Sequence, residues 1–193
     1  MMSKKARYLI VMLLSVAMNQ GFYILASDNV LDLPFWLDIA GTAFAAIVLE
    51  PAAGLLVGFT NNFYLAVTRG DSSSLLYFAA SAAVAVIAGV CMRKEGRLSL
   101  KRVLPTMGLI VAVTTVISGL LTLWRTGGVP DAKWELFYFG QGLAWGWPKV
   151  LCCFFGVLVI KVYDILATTA IVGAFWFLLP KKLKNPGDVP AAE

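Results

Sequence analysis

The chain has 193 residues, of which 60% are hydrophobic and only 14% charged, with a mean hydropathy of +0.80. A soluble domain carries about 25% charged residues, so this composition points away from a soluble domain and toward an all-α integral membrane protein. The net charge of +5 does not indicate a nucleic-acid partner, because the basic residues sit at the ends of apolar runs and form no stripe with aromatics.

No histidine is present, which removes the commonest metal ligand and neutral-pH general base. Cys91, Cys152 and Cys153 lie inside apolar runs, with neither a disulfide framework nor metal-ligand spacing, and read as small core residues. No metal, cofactor or catalytic residue is therefore expected.

Taken in order, a short basic start to Arg7 leads into an apolar run from Tyr8 to Ala26. Its length, with Asn19 and Gln20 inside it, favours a first membrane span over a cleaved signal peptide. Phe35 to Arg69 then reads as two runs folded back to back at Glu50-Pro51, since proline lacks an N–H and suits the first turn of a helix. Small residues recur in both arms (Ala40, Gly41, Ala45, Ala46, then Ala52, Ala53, Gly54, Gly58) and allow close helix approach in lipid. The same hairpin carries Asp38, Thr42, Thr60, Asn61 and Asn62. Polar groups at such depth face a cavity or another helix.

A fourth span runs from Ser74 to Met92, followed by the basic loop Arg93 to Arg102 and a fifth span from Val103 to Trp124. Residues 125–147 are aromatic and broken by glycines, as suits an interfacial helix or re-entrant flap. Residues 148–179 are too many for one upright span at about 1.5 Å per residue, so this helix starts along the surface or is tilted. A single six-helix membrane domain over 1–184 and a disordered tail over 185–193 complete the reading. Six spans place Lys4, Lys5, Arg7, Arg93, Lys94, Arg97, Lys101, Arg102, Lys181, Lys182 and Lys184 on one side. Only Arg69, Arg125, Lys133 and Lys149 fall on the other, so both termini are expected in the cytoplasm.

Counting depth from these ends gathers Asn19, Gln20, Asp38, Thr42, Asn61, Asn62, Lys161 and Asp164 in the outer half. A channel needs polar groups through the full thickness, whereas an outward-facing pocket needs them only above. Lys161 and Asp164, three apart on one helix face, are expected to neutralise each other. The candidate substrate site is Asp38, Thr42, Asn61, Asn62, Trp145, Lys161 and Asp164, covered by the Trp134 to Trp147 segment. Bland accounts of the same residues are interhelical hydrogen bonds for the asparagines and an interfacial belt for the tryptophans.

The hairpin LPFWLDIAGTAFAAIVLEPAAGLLVGFTNN resembles the substrate-binding S components of energy-coupling factor (ECF) vitamin transporters. Leu37, Asp38, Gly41, Thr42, Pro51, Gly54, Val57 and Gly58 fall in step with the pattern LDxxGTxxAxxxxGPxxGxxVGxxTN; Glu50 replaces its Gly, and Thr60 and Asn61 stand one residue before its closing Thr-Asn. The last span, KVYDILATTAIVGAFWFLLPKKL, is similar to the family's closing helix. The resemblance implies a cell-membrane protein that binds a small vitamin-like solute from outside. It also implies docking, through Ala17 and Gly21 on the first helix, to a transmembrane coupling protein with two ATPase subunits. The chain has no Walker A sequence, so the energy has to come from such a partner. The alternative is a membrane sensor or scaffold acting through helix contacts alone. An intramembrane enzyme using Asp38 and Asp164 as an acid–base pair is the least favoured, for want of a nucleophile motif.

Overall fold

The computed structural model describes residues 3–26, 30–70, 72–94, 97–180 and 183. The chain is helical apart from its connections and one short antiparallel ladder. Helix α1 (Lys4–Ala26) covers the first apolar run. The hairpin becomes α2 (Ala40–Val48) and α3 (Pro51–Arg69). The fourth run is a four-residue α4 (Ser73–Leu76) leading through Tyr77 into α5 (Phe78–Cys91). Strands β1 (Arg93–Lys94) and β2 (Arg97–Leu98) pair antiparallel, and a 3-10 turn over Leu100–Arg102 enters α6 (Val103–Thr126). Helix α7 (Lys133–Ala144) and the 30-residue α8 (Lys149–Leu178) finish the fold.

The helix ends follow local chemistry. Pro51 occupies the first turn of α3 and holds Glu50 extended, which stops α2 just before it. Helices α3 and α6 both end on left-handed glycines, Gly70 (φ 65°) and Gly127 (φ 64°), a conformation that glycine adopts without steric cost. Helix α8 stops before Pro180, about 45 Å from its start at a 1.5 Å rise, so it is one continuous helix.

Four helical stretches are long and apolar enough to cross a membrane: Lys5–Ala26, Ser73–Cys91, Val103–Thr126 and Lys149–Leu178. Large apolar side chains such as Leu9, Leu13, Leu104, Leu120, Leu166 and Phe177 are exposed, as lipid-facing residues are in a membrane protein. The first hairpin arm differs from expectation. The sequence predicts a helix from Phe35, yet α2 has nine residues, about 13 Å, too short to cross a bilayer. Every residue of it is buried. It forms the axis of the bundle, with α1, α3, α5 and α8 around it.

The close packing rests on small residues. A Cβ on Gly41 would lie 1.7 Å from the Ser15 carbonyl oxygen of α1, and one on Gly54 would lie 2.7 Å from the Ala46 Cβ. Either would drive two helices apart. Phe44 meets Phe175 edge-on at 6.2 Å, within a core that also holds Ile47, Val48, Val84, Ile110 and Val172.

Arg7 ties one end of the bundle together. Its Nη2 donates to the Val48 carbonyl (3.1 Å) and its Nε to the Leu183 carbonyl (3.1 Å). Val48 ends α2, so the guanidinium satisfies a carbonyl that has no partner within its helix. Tyr8 donates to Glu50 on the same side (3.0 Å). The start of α1, the α2–α3 turn and the residues after α8 thus share one end, here the Arg7 end. The opposite end carries Arg69, Gly70 and Gly127. The tail expected over 185–193 lies outside the described residues.

Candidate functional site

The segment before α2, where a helix was expected, is irregular and forms one wall of a cavity. The Asp164 Oδ1 on α8 accepts the Leu37 backbone N–H at 2.9 Å. Leu37 adopts φ 56°, unusual for a residue with a γ-branched side chain, and this buried hydrogen bond pins it there. Trp36 and Asp38, its neighbours, line a cavity of about 250 Å³ at the Arg69 end.

Behind that wall most of the polar side chains satisfy each other, Gln20 Oε1 being left without a partner. Asn19 Oδ1 accepts the backbone N–H groups of Gly41 (2.7 Å) and Thr42 (3.3 Å), while its Nδ2 donates to Thr42 Oγ1 (2.9 Å). Ile39 at the N-cap has no side-chain cap to offer, so α1 supplies the cap of α2 from across the interface. Gln20 donates to Asn61 (2.7 Å), which donates to Asp38 (3.4 Å). Asn62 donates to Ser81 Oγ and to the Gly58 carbonyl, each at 2.9 Å.

The cavity is lined differently. Arg69 lies over the rings of Tyr23 (4.9 Å to the centroid) and Trp36 (5.8 Å), which gives the guanidinium aromatic support. Arg125 lies over Tyr77, donates to Ser73 and pairs with Asp131. Lys161 lines the cavity, makes no direct ion pair, and acts electrostatically on Asp38, Glu135 and Asp164. Burial raises the Glu135 carboxyl above its ordinary range, and the Lys161 ammonium opposes that rise. A second cavity of about 340 Å³ shares Trp36, Arg69, Asp131, Ala132 and Glu135 with the first. Asp32 pairs with Lys133 and accepts from Trp134 Nε1, fastening the segment before α2 to the start of α7 beside this second space.

Of the residues expected at the site, Asp38, Asn62 and Lys161 line the cavity. Thr42, Asn61 and Asp164 lie fully buried behind it, as structural supports. Trp145 does not line it. This residue is 57% exposed at the end of α7 and packs on Trp147 and Phe155 instead. Of the Trp134 to Trp147 segment expected to cover it, Glu135 alone lines this cavity, joined by Asp131 and Ala132 from just before the segment. The rest of α7 packs on α8, where the Glu135 carbonyl approaches so closely that a Cβ on Gly156 would lie 2.5 Å from it. Among the described residues Lys161 and Asp164 make no direct ion pair, although the Lys161 charge acts on Asp164.

Sequence reasoning missed Tyr23, Trp36, Arg69, Tyr77, Ser118, Arg125, Asp131 and Glu135. One signal for two of them was present: Arg69 and Arg125 break the charge bias that set the topology, and a basic residue on the wrong side has some other use. Ala17 and Gly21 are exposed on α1, with nothing within 4 Å of where a Gly21 Cβ would stand.

Among the described residues, no three His, Cys, Asp or Glu side chains are placed to hold a metal ion. Comparison of the chain with family models, with curated proteins and with solved structures gave no match.

Proposed function

We propose that the chain is a membrane-embedded solute-capturing subunit of an ECF-type importer, crossing the cell membrane with both termini in the cytoplasm. The observation that carries this reading is the division of the bundle's interior. The space at the Arg69 end is charged and aromatic, whereas a third interior space, of about 100 Å³ toward the Arg7 end, is uncharged and walled mainly by apolar residues such as Ala43, Ile47, Val84, Met107, Ile165 and Val172, with Thr106, Thr168 and Thr169 among them. A pocket that is wet above and apolar below holds a small molecule without offering it a continuous path.

In this reading the Arg69 end faces outside, the irregular segment from Phe35 together with α2 makes the second pass and α3 the third, and the solute is a vitamin-like molecule. Release needs the partner assembly of a coupling protein and two ATPase subunits, docked on the open α1 face around Ala17 and Gly21. Small residues there leave room for close approach by another membrane helix. The test is mass spectrometry of the small molecules released when the purified protein is denatured, together with identification of copurifying proteins. A released heterocyclic solute with copurified ATPases is the expected result. A copurified kinase and no solute would instead support a sensor or scaffold module, which the same exposed α1 face also suits.

A further inference from the structure

The cavity has a measurable long axis, marked independently on three helices. Asn62 and Arg69 on α3, Ser81 and Ser74 along α4–α5, and Ser118 and Arg125 on α6 all line it, and each pair is seven residues apart. Two turns of helix give a depth of about 10 Å. Asp38, hydrogen-bonded to Asn61, sits at the deep level. The two guanidiniums sit at the shallow one.

Charge is distributed unevenly along that axis. At depth, Lys161 stands against both Asp38 and Asp164, so carboxylates outnumber it, while Glu135 is acted on by Lys161 and by Arg125 and belongs to neither level. At the shallow end, Arg69 and Arg125 face Asp131, so positive charge is in excess. Both levels also offer unsatisfied polar atoms. Ser118 is 2% exposed and its Oγ has no partner, while Arg125 Nε is buried and unpartnered. Buried polar groups without partners are costly, and a ligand that meets them recovers that cost. The rings of Tyr23, Trp36 and Tyr77 line the same space, beside the two guanidiniums.

Building on the carrier reading above, we propose that the solute is a zwitterion built on a flat ring. Its protonated nitrogen sits at the deep end against Asp38. Its acidic group turns outward to Arg69 and Arg125, and its ring lies against the aromatic wall. A purely anionic solute would meet the carboxylate excess at depth, and a purely cationic one the guanidiniums at the mouth.

The test uses the full chain purified in detergent, with calorimetry and thermal shift. Two matched sets of probes serve: L-tryptophan, tryptamine and indole-3-propionate, and the corresponding amino acid, amine and acid on a pyridine ring. At least one zwitterion is expected to bind, with its singly charged relatives weaker by about tenfold or more, the loss expected for one charge-assisted hydrogen bond. Asp38→Asn should reduce the zwitterion's affinity to that of the acid alone, and Arg69→Gln to that of the amine alone. Arg69 is exposed, so its variant keeps the test open if Asp38→Asn fails to fold. A singly charged probe binding as tightly as its zwitterion would overturn the charge assignment and leave the carrier reading standing. No binding by either set, with no copurified small molecule, would overturn both.

Discussion

The wall formed by α1, α2 and α3 and the space facing α6, α7 and α8 treat polar atoms in opposite ways. In the first region Asn19, Thr42, Asn61 and Asn62 all have hydrogen-bond partners on a neighbouring element, with Gln20 Oε1 the exception. In the second, Ser118 Oγ and Arg125 Nε, on two residues that line the cavity, are buried without one. Both regions are buried, so burial alone does not account for the difference. Completed hydrogen bonds hold helices at fixed distance, and uncompleted ones mark where something else is meant to fit.

The largest test of that contrast is at Gly41. Gly41→Leu should abolish the folded protein, because even a Cβ collides with the Ser15 backbone. A normal yield of monodisperse protein on size exclusion would show that α1 and α2 are not packed as described. Next is Asn19→Leu, which removes the cap of α2 and leaves two backbone N–H groups without partners. A loss of about 2 kcal/mol in unfolding free energy is expected.

Asp164 stands between the two regions, with one oxygen bonded and the other not. Asp164→Leu should cost about 1–3 kcal/mol by orphaning the Leu37 N–H, whereas Asp164→Asn keeps an acceptor and should cost less. Equal losses in the two variants would mean that charge, and not the hydrogen bond, fixes the segment before α2.

A smaller effect is expected at Glu135, on the cavity side. Its raised carboxyl binds a proton more readily folded than unfolded, so its contribution to stability is full below the ordinary value of 4.5 and is lost as pH rises through the higher folded value. Glu135→Gln should remove that part of the pH dependence. Melting curves of the two proteins between acid and neutral pH should therefore converge at the acid end and separate above it. The smallest effect is at Gly21, where nothing is within reach: Gly21→Leu should leave the melting temperature unchanged while weakening capture of copurifying partner proteins.

Much of this was legible in residue order. The Glu50-Pro51 turn, the stop at Gly70, the long α6 and α8 and the small-residue interface all arise from local rules or from helical periodicity. The site was legible only in part. Asp38, Asn62 and Lys161 stood out as polar residues at apolar depth, but nothing in their spacing separated them from Thr42, Asn61 and Asp164, which turn inward to neighbours. Trp145 misled because an aromatic residue in a glycine-broken stretch suits a ligand wall and a membrane interface equally well.

The sequence by itself determined which stretches are helical and where most of them end, since proline, glycine and hydrophobic runs act within a few residues. Only tertiary structure decided that the first hairpin arm is half unwound. The Leu37 N–H, one of the first-turn donors that a helix starting at Phe35 would leave without a partner, is claimed by a carboxylate 127 positions away on α8. The cavity follows from that exchange, because hydrogen bonds between distant residues depend on how helices pack, and no local pattern records it.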